Sequence, residues 1–117
     1  MGRGTRKGGK SFERSKGKIM YHLLFHHDAE NEYQESYIWY ELRQNGLGAR
    51  FKTNVEAILN QLRANPQYFG YYKKPFREAS VSDFPFTIVF TINAKQNIVL
   101  ITAIYHAKRN PKFKFRK

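Results

Sequence analysis

The segment DAENEYQESYIWYELRQNGLGARFKTNVEAILNQLRANP, running from Asp28 to Pro66, decides the fold. Asp28 has a short side-chain acceptor for an orphan backbone N–H, and Glu30 and Glu32 fall in the first turn, where the helix dipole favours acids. Asp28 is therefore the expected N-cap of a helix. Ala29, Tyr33, Tyr37 and Tyr40 then recur at helical spacing, so the helix should run to about Arg43 or Gln44. Asn45-Gly46-Leu47-Gly48 supplies residues that tolerate left-handed backbone at a helix C-cap. A second amphipathic helix follows, with Phe51, Val55, Ile58, Leu59 and Leu62 on one stripe, and Asn65-Pro66 ends it, because proline disfavours helical geometry in the residue before it. Two helices joined by so few residues must lie antiparallel.

Both apolar stripes need a partner, and the flanking sequence provides a sheet. On the N-terminal side, Ile19 to Phe25 is an apolar run of strand length. On the C-terminal side, residues 67 to 75 are aromatic and basic and lead into Phe76 to Val81, a strand candidate. Phe84 to Ile92 and Ile98 to Tyr105 read as strands around a polar hairpin turn, Asn93 to Asn97. The order is β-α-α-β-β-β, an α+β fold in which the helical hairpin covers one face of a small, mostly antiparallel sheet.

A chain of 117 residues leaves room for one domain. It contains no cysteine, which excludes disulfides, thiolate nucleophiles and cysteine-based metal sites and fits a reducing cytoplasm. No apolar run approaches the ~18 residues needed to span a bilayer. The net charge of +12 is unevenly placed: residues 1–18 and 107–117 carry +6 each, and residues 19–106 are neutral. The first eighteen residues, rich in glycine and charge, are expected to form a disordered basic arm or an extension translated from upstream of a start at Met20. Residues 19–111 form the expected domain, and residues 112–117 a basic tail. His22 and His26 lie about 13 Å apart on a strand, too far to share a metal, so neither a metal nor a cofactor is expected.

Three segments stand out in order: Ala29 to Tyr37 with the turn Gly46-Leu47-Gly48-Ala49-Arg50-Phe51, then Asn65-Pro66 with Arg77-Glu78-Ala79 and Phe84-Pro85-Phe86, and last Ile104-Tyr105-His106-Ala107-Lys108-Arg109-Asn110-Pro111. Together they resemble the RelE/ParE toxin superfamily of type II toxin–antitoxin modules, in particular its ParE-like or plasmid-stabilisation branch. The resemblance implies a cytoplasmic toxin that inhibits growth unless a cognate antitoxin wraps it, as a homodimer or in a toxin–antitoxin heterotetramer. It implies one of two targets: DNA gyrase, poisoned without an evident catalytic step, or messenger RNA on the ribosome, cut by a metal-independent endoribonuclease.

Metal-independent RNA cleavage needs a proton shuttle and cations on the phosphate. His106 is the candidate shuttle, and Arg77 and Arg109 complete the catalytic set required if the protein is a nuclease. Lys73, Lys74, Arg77, Lys108, Arg109 and Lys112 are the candidates for holding a phosphate or target. If the strands bearing Arg77 and His106 pair, these groups converge on the sheet face left open by the helices. Trp39 lies off the helical stripe and, with Tyr40, is the candidate antitoxin or dimer contact. Each has a plainer reading: His106 as a packing or capping residue, Arg77 as an ion pair, the basic tail as a solubilising segment. Phe86 and Phe90 stand where the family commonly has tyrosine, and Thr91 where it often has arginine. Phe113 and Phe115 occupy the region where RelE-like nucleases use a tyrosine. These departures favour the gyrase reading over the nuclease and lean against an enzyme. A third reading is a non-toxic nucleic-acid-binding module using the Lys112 to Arg116 alternation.

Overall fold

The computed structural model describes residues 20–108. Its elements are β1 (His22–Phe25), α1 (His27–Arg43), α2 (Leu47–Ala64), a single 3-10 turn (Pro66–Tyr68), β2 (Tyr71–Lys73), β3 (Phe76–Ser80), β4 (Phe86–Asn93) and β5 (Ile98–His106). The five strands form one sheet in the order β1-β5-β4-β3-β2, antiparallel except for the parallel pair of β1 with β5. This is the expected α+β architecture with one strand more than the sequence suggested.

The core lies between the helical hairpin and one face of the sheet. The α2 stripe of Phe51, Val55, Ile58, Leu59 and Leu62 is buried as its spacing requires, against Ala79 from β3, Phe86, Ile88 and Phe90 from β4, and Val99, Ile101 and Ile104 from β5. On α1 only Ala29 and Ser36 are fully buried, while Tyr33, Tyr37 and Tyr40 pack against the core from its margin. Their rings do the filling: the Tyr40 centroid lies 5.2 Å from Phe51 and 5.0 Å from Phe84. A smaller cluster of Phe76, Val89, Ala103 and Tyr105 occupies the other face of the sheet.

The connection between the helices explains its two glycines. Gly46 has φ +89°, a left-handed conformation that glycine adopts without cost, but it serves as the N-cap of α2; the C-cap of α1 is the extended Gln44. Gly48 is required by contact, since a Cβ there would meet the Tyr37 carbonyl oxygen at 2.7 Å. The Glu41 carboxylate closes the turn, accepting the backbone N–H groups of Gly46 at 2.8 Å and Gly48 at 2.9 Å.

Two local expectations need correction. His26, not Asp28, caps α1: its Nδ1 accepts the Asp28 N–H at 3.0 Å, and the helix begins at His27. The backbone dictates this, because His26 N–H donates to the Ile101 carbonyl at the end of β1 and the chain turns directly from strand into helix. The aromatic stretch after Pro66 contains the short edge strand β2, which pairs with β3 across a turn holding the cis Lys74–Pro75 bond. The arm of residues 1–18 and the tail of residues 112–117 lie outside the described residues.

Candidate functional site

Arg77 and His106 do not come together. β4 lies between their strands, with Arg77 opposite Phe90 and His106 opposite Phe86. They are thus about 13 Å apart along the strands and about 10 Å across them. Nor do they use the open face of the sheet. Phe86 and Phe90 belong to the core beneath the helices, so their cross-strand partners project to that same side, at its two ends.

Around Arg77 the chain forms a basic and aromatic edge. One guanidinium nitrogen donates to the Phe69 carbonyl at 2.7 Å and, more weakly, to that of Gln67 at 3.4 Å; another donates to the Tyr71 hydroxyl at 2.8 Å. The guanidinium carbon lies 3.9 Å from the centre of the Tyr71 ring. Arg77 therefore ties the segment after α2 to β3, and its donors are largely engaged. The Lys74 ammonium lies 5.1 Å from the centre of the same Tyr71 ring, and Lys73 is exposed beside it. Tyr68, Tyr71 and Tyr72 are exposed along the same edge. No acid occurs between Glu56 and Glu78, a span that holds Arg63, Lys73, Lys74 and Arg77. The edge combines positive charge with rings that can stack, a surface suited to an anionic partner.

His106 sits at the other end, in a groove of about 490 Å³ between α1 and the end of β5, lined by Glu32, Glu35, Ser36, Trp39, Tyr40, Phe86 and Lys108 as well. Its ring meets Phe86 edge to face at 5.4 Å, and its Nδ1 accepts the Lys108 N–H at 3.2 Å. In the neutral ring that bond places the proton on Nε2. Glu32 anchors the wall of the groove, with Oε1 accepting the Ile104 N–H at 3.0 Å. Trp39 is half exposed, with the Arg43 guanidinium 4.2 Å above its ring, whereas Tyr40 is held among Phe51, Phe84 and Phe86. So Trp39, chosen as a contact, and His106 and Lys108, chosen for the target, share one groove.

Glu32 was expected as an acid of the first helical turn, but α1 starts at His27 and leaves only Asp28 and Glu30 there; Glu35 and the ring of Tyr71 were not singled out from the sequence. The spacing of Glu32 and Glu35 within the first helix carries no sign that they face the end of the last strand 72 residues on. Phe86 and Phe90 are buried, so the positions where the family commonly has tyrosine serve packing in this chain. Arg109, Lys112, Phe113 and Phe115 lie outside the described residues. Among the described residues no cluster of histidines and acids has the geometry of a metal site, and no helix is long and apolar enough to cross a membrane.

A family model described as the ParE toxin of the type II toxin–antitoxin system parDE matches residues 23–111. Among solved structures, the chain is similar to the chromosomal ParDE toxin–antitoxin system from P. aeruginosa, with TM-score 0.63 and 14% identity over 76% of this chain and 98% of that one. It is also similar to a mutant of the E. coli toxin RelE in the free state, with TM-score 0.58 and 13% identity over 77% of this chain and 86% of that one. At such identities these likenesses concern the fold. No curated protein matches the sequence.

Proposed function

Because the chain belongs to the ParE toxin family of type II toxin–antitoxin systems, we propose that it inhibits growth by binding DNA gyrase, without a catalytic step of its own, and that a cognate antitoxin neutralises it. The observation that carries the binding reading is the placement of Arg77. A nuclease would gather a proton shuttle and a phosphate-binding cation around one reacting phosphate. Here Arg77 is engaged by Phe69 and Tyr71, and His106 lies at the far end of the same sheet face. The exposed cations Lys73 and Lys74 and the neighbouring tyrosines are the proposed target contacts on one side, and His106 and Lys108 on the other. Trp39 is the proposed contact for the antitoxin.

Induced expression tests the toxin reading. Growth should stop on induction and resume when a small DNA-binding protein encoded beside this gene is co-expressed. Unimpaired growth with folded protein accumulating in the cell would overturn it.

A further inference from the structure

The sheet face turned away from the helices is buried in one half and open in the other. Phe76, Val89, Ala103 and Tyr105 cluster on this face, and neither helix contributes to the cluster. Yet Phe76 and Tyr105 are only 4% exposed, and Val89 and Ala103 are 0% exposed. Leu24 gives the contrast. Its register partner Leu100 alternates with the core residues Val99 and Ile101, so both point to this same face, and Leu24 is 51% exposed. Side chains in a single layer stand roughly perpendicular to the sheet and shield one another's flanks but not their tips, so burial as complete as that of Phe76 and Tyr105 needs a covering segment.

We propose that residues 109–117 fold back over the buried half as a strap, with Phe113 and Phe115 seated on the cluster and Lys112, Lys114 and Arg116 turned outward. The run Lys112-Phe113-Lys114-Phe115-Arg116 alternates with the period of an extended chain, which puts both rings on one side and the three cations on the other. The segment begins four residues after Tyr105, and the chain is already turning there: the Ala107 N–H donates to the Pro85 carbonyl at 2.6 Å and the Lys108 N–H to His106 Nδ1 at 3.2 Å. Asn110-Pro111 is a further turn signal. Extended residues span about 3.3 Å each, and Tyr105 on β5 and Phe76 on β3 stand about 10 Å apart across the strands, so the segment is long enough to cross the cluster. Glu78, the only acid in the five strands, is the register partner of Val89 and therefore faces the strap. The N-terminal arm is the poorer fit, since Phe12 is its one aromatic residue and it joins the fold near His22, opposite Ile98 and about 23 Å along β5 from Tyr105. Lys73 is the register partner of Phe76 and borders the same face, so the strap would set its cations beside Lys73 in one surface for an anionic partner. That last step rests on the target reading above; the seating of the strap does not.

Nuclear Overhauser contacts in the full chain read the seating directly. Ring protons of Phe113 and Phe115 should contact the methyl groups of Val89 and Ala103. Replacing both phenylalanines with alanine should move those methyl resonances and let trypsin cut after Lys112 and Lys114 at least about tenfold faster, with the resonances of α1 and α2 unchanged. Methyl contacts to Phe12 in place of Phe113 and Phe115, contacts that vanish on dilution as a second copy leaves, or no contact from either ring would overturn the strap. Changing Lys112, Lys114 and Arg116 to glutamine should preserve the methyl contacts and weaken inhibition of gyrase supercoiling roughly tenfold. Unchanged inhibition would refute the shared surface with Lys73. An unaltered protein that does not inhibit supercoiling refutes the target reading, and the methyl contacts still decide the strap.

Discussion

Gly48, in the first turn of α2, lies directly against Tyr37 and Glu41 of α1, and its lack of a side chain lets the two helices meet there. A Cβ at this position would lie 2.7 Å from the Tyr37 carbonyl oxygen and 2.9 Å from Glu41. Gly48→Ala should therefore cost about 2 kcal/mol in chemical denaturation, because backbone on one side and the turn-closing carboxylate on the other cannot yield cheaply. The sequence displays the glycine but not this reason for it; left-handed backbone belongs to Gly46, two residues earlier. Tyr33 shows what local reading misses altogether. Its hydroxyl donates to the Glu56 carboxylate at 2.8 Å, and burial together with that neighbouring charge pushes the phenol above its ordinary range. As pH rises past the unfolded value near ~10, the unfolded chain loses this proton and the folded one keeps it, so stability falls with pH. Tyr33→Phe should cost about 1 kcal/mol at neutral pH through the lost hydrogen bond and lessen the decline in stability above pH ~10. Denaturation midpoints of the two proteins at pH 8 and above pH 10 measure both effects.

Elements with long periodic patterns were legible, and those held by distant contacts were not. The α2 stripe named its buried residues correctly because five apolar side chains at helical spacing permit one orientation. The three residues of β2 have no such pattern, and Arg77 binds the preceding segment back onto β3. Replacing Arg77 with methionine should raise amide hydrogen exchange in Tyr71–Lys73 by roughly tenfold and leave β4 and β5 protected. Unchanged exchange at that edge would mean that Arg77 is not its clamp. Lys74→Ala should leave exchange at the edge unaltered, since Lys74 meets Tyr71 through charge alone. Its loss tests target binding without disturbing the strand. The expected convergence of Arg77 and His106 failed for a topological reason: β4 inserts between their strands, and adjacency in a sheet is not encoded in the order of the chain.

At the scale of the molecule, charge is divided more sharply than the chain's net value suggests. Acids gather on α1, while cations and exposed tyrosines gather at the β2 edge. The ordered segments around Gly46–Phe51, Arg77–Ala79 and Ile104–Lys108 were enough to place the chain in its family and fold. They were silent on which groups share a surface, and the contested target turns on that. A protein that binds gyrase through the β2 edge should lose affinity as salt screens Lys73 and Lys74, with the double change to alanine weakening inhibition at least about tenfold. The most direct test sets purified protein against two substrates in parallel, DNA supercoiling by gyrase and messenger RNA in a translation extract. Inhibited supercoiling with intact message is the predicted result; cleaved message with unaffected supercoiling would contradict it.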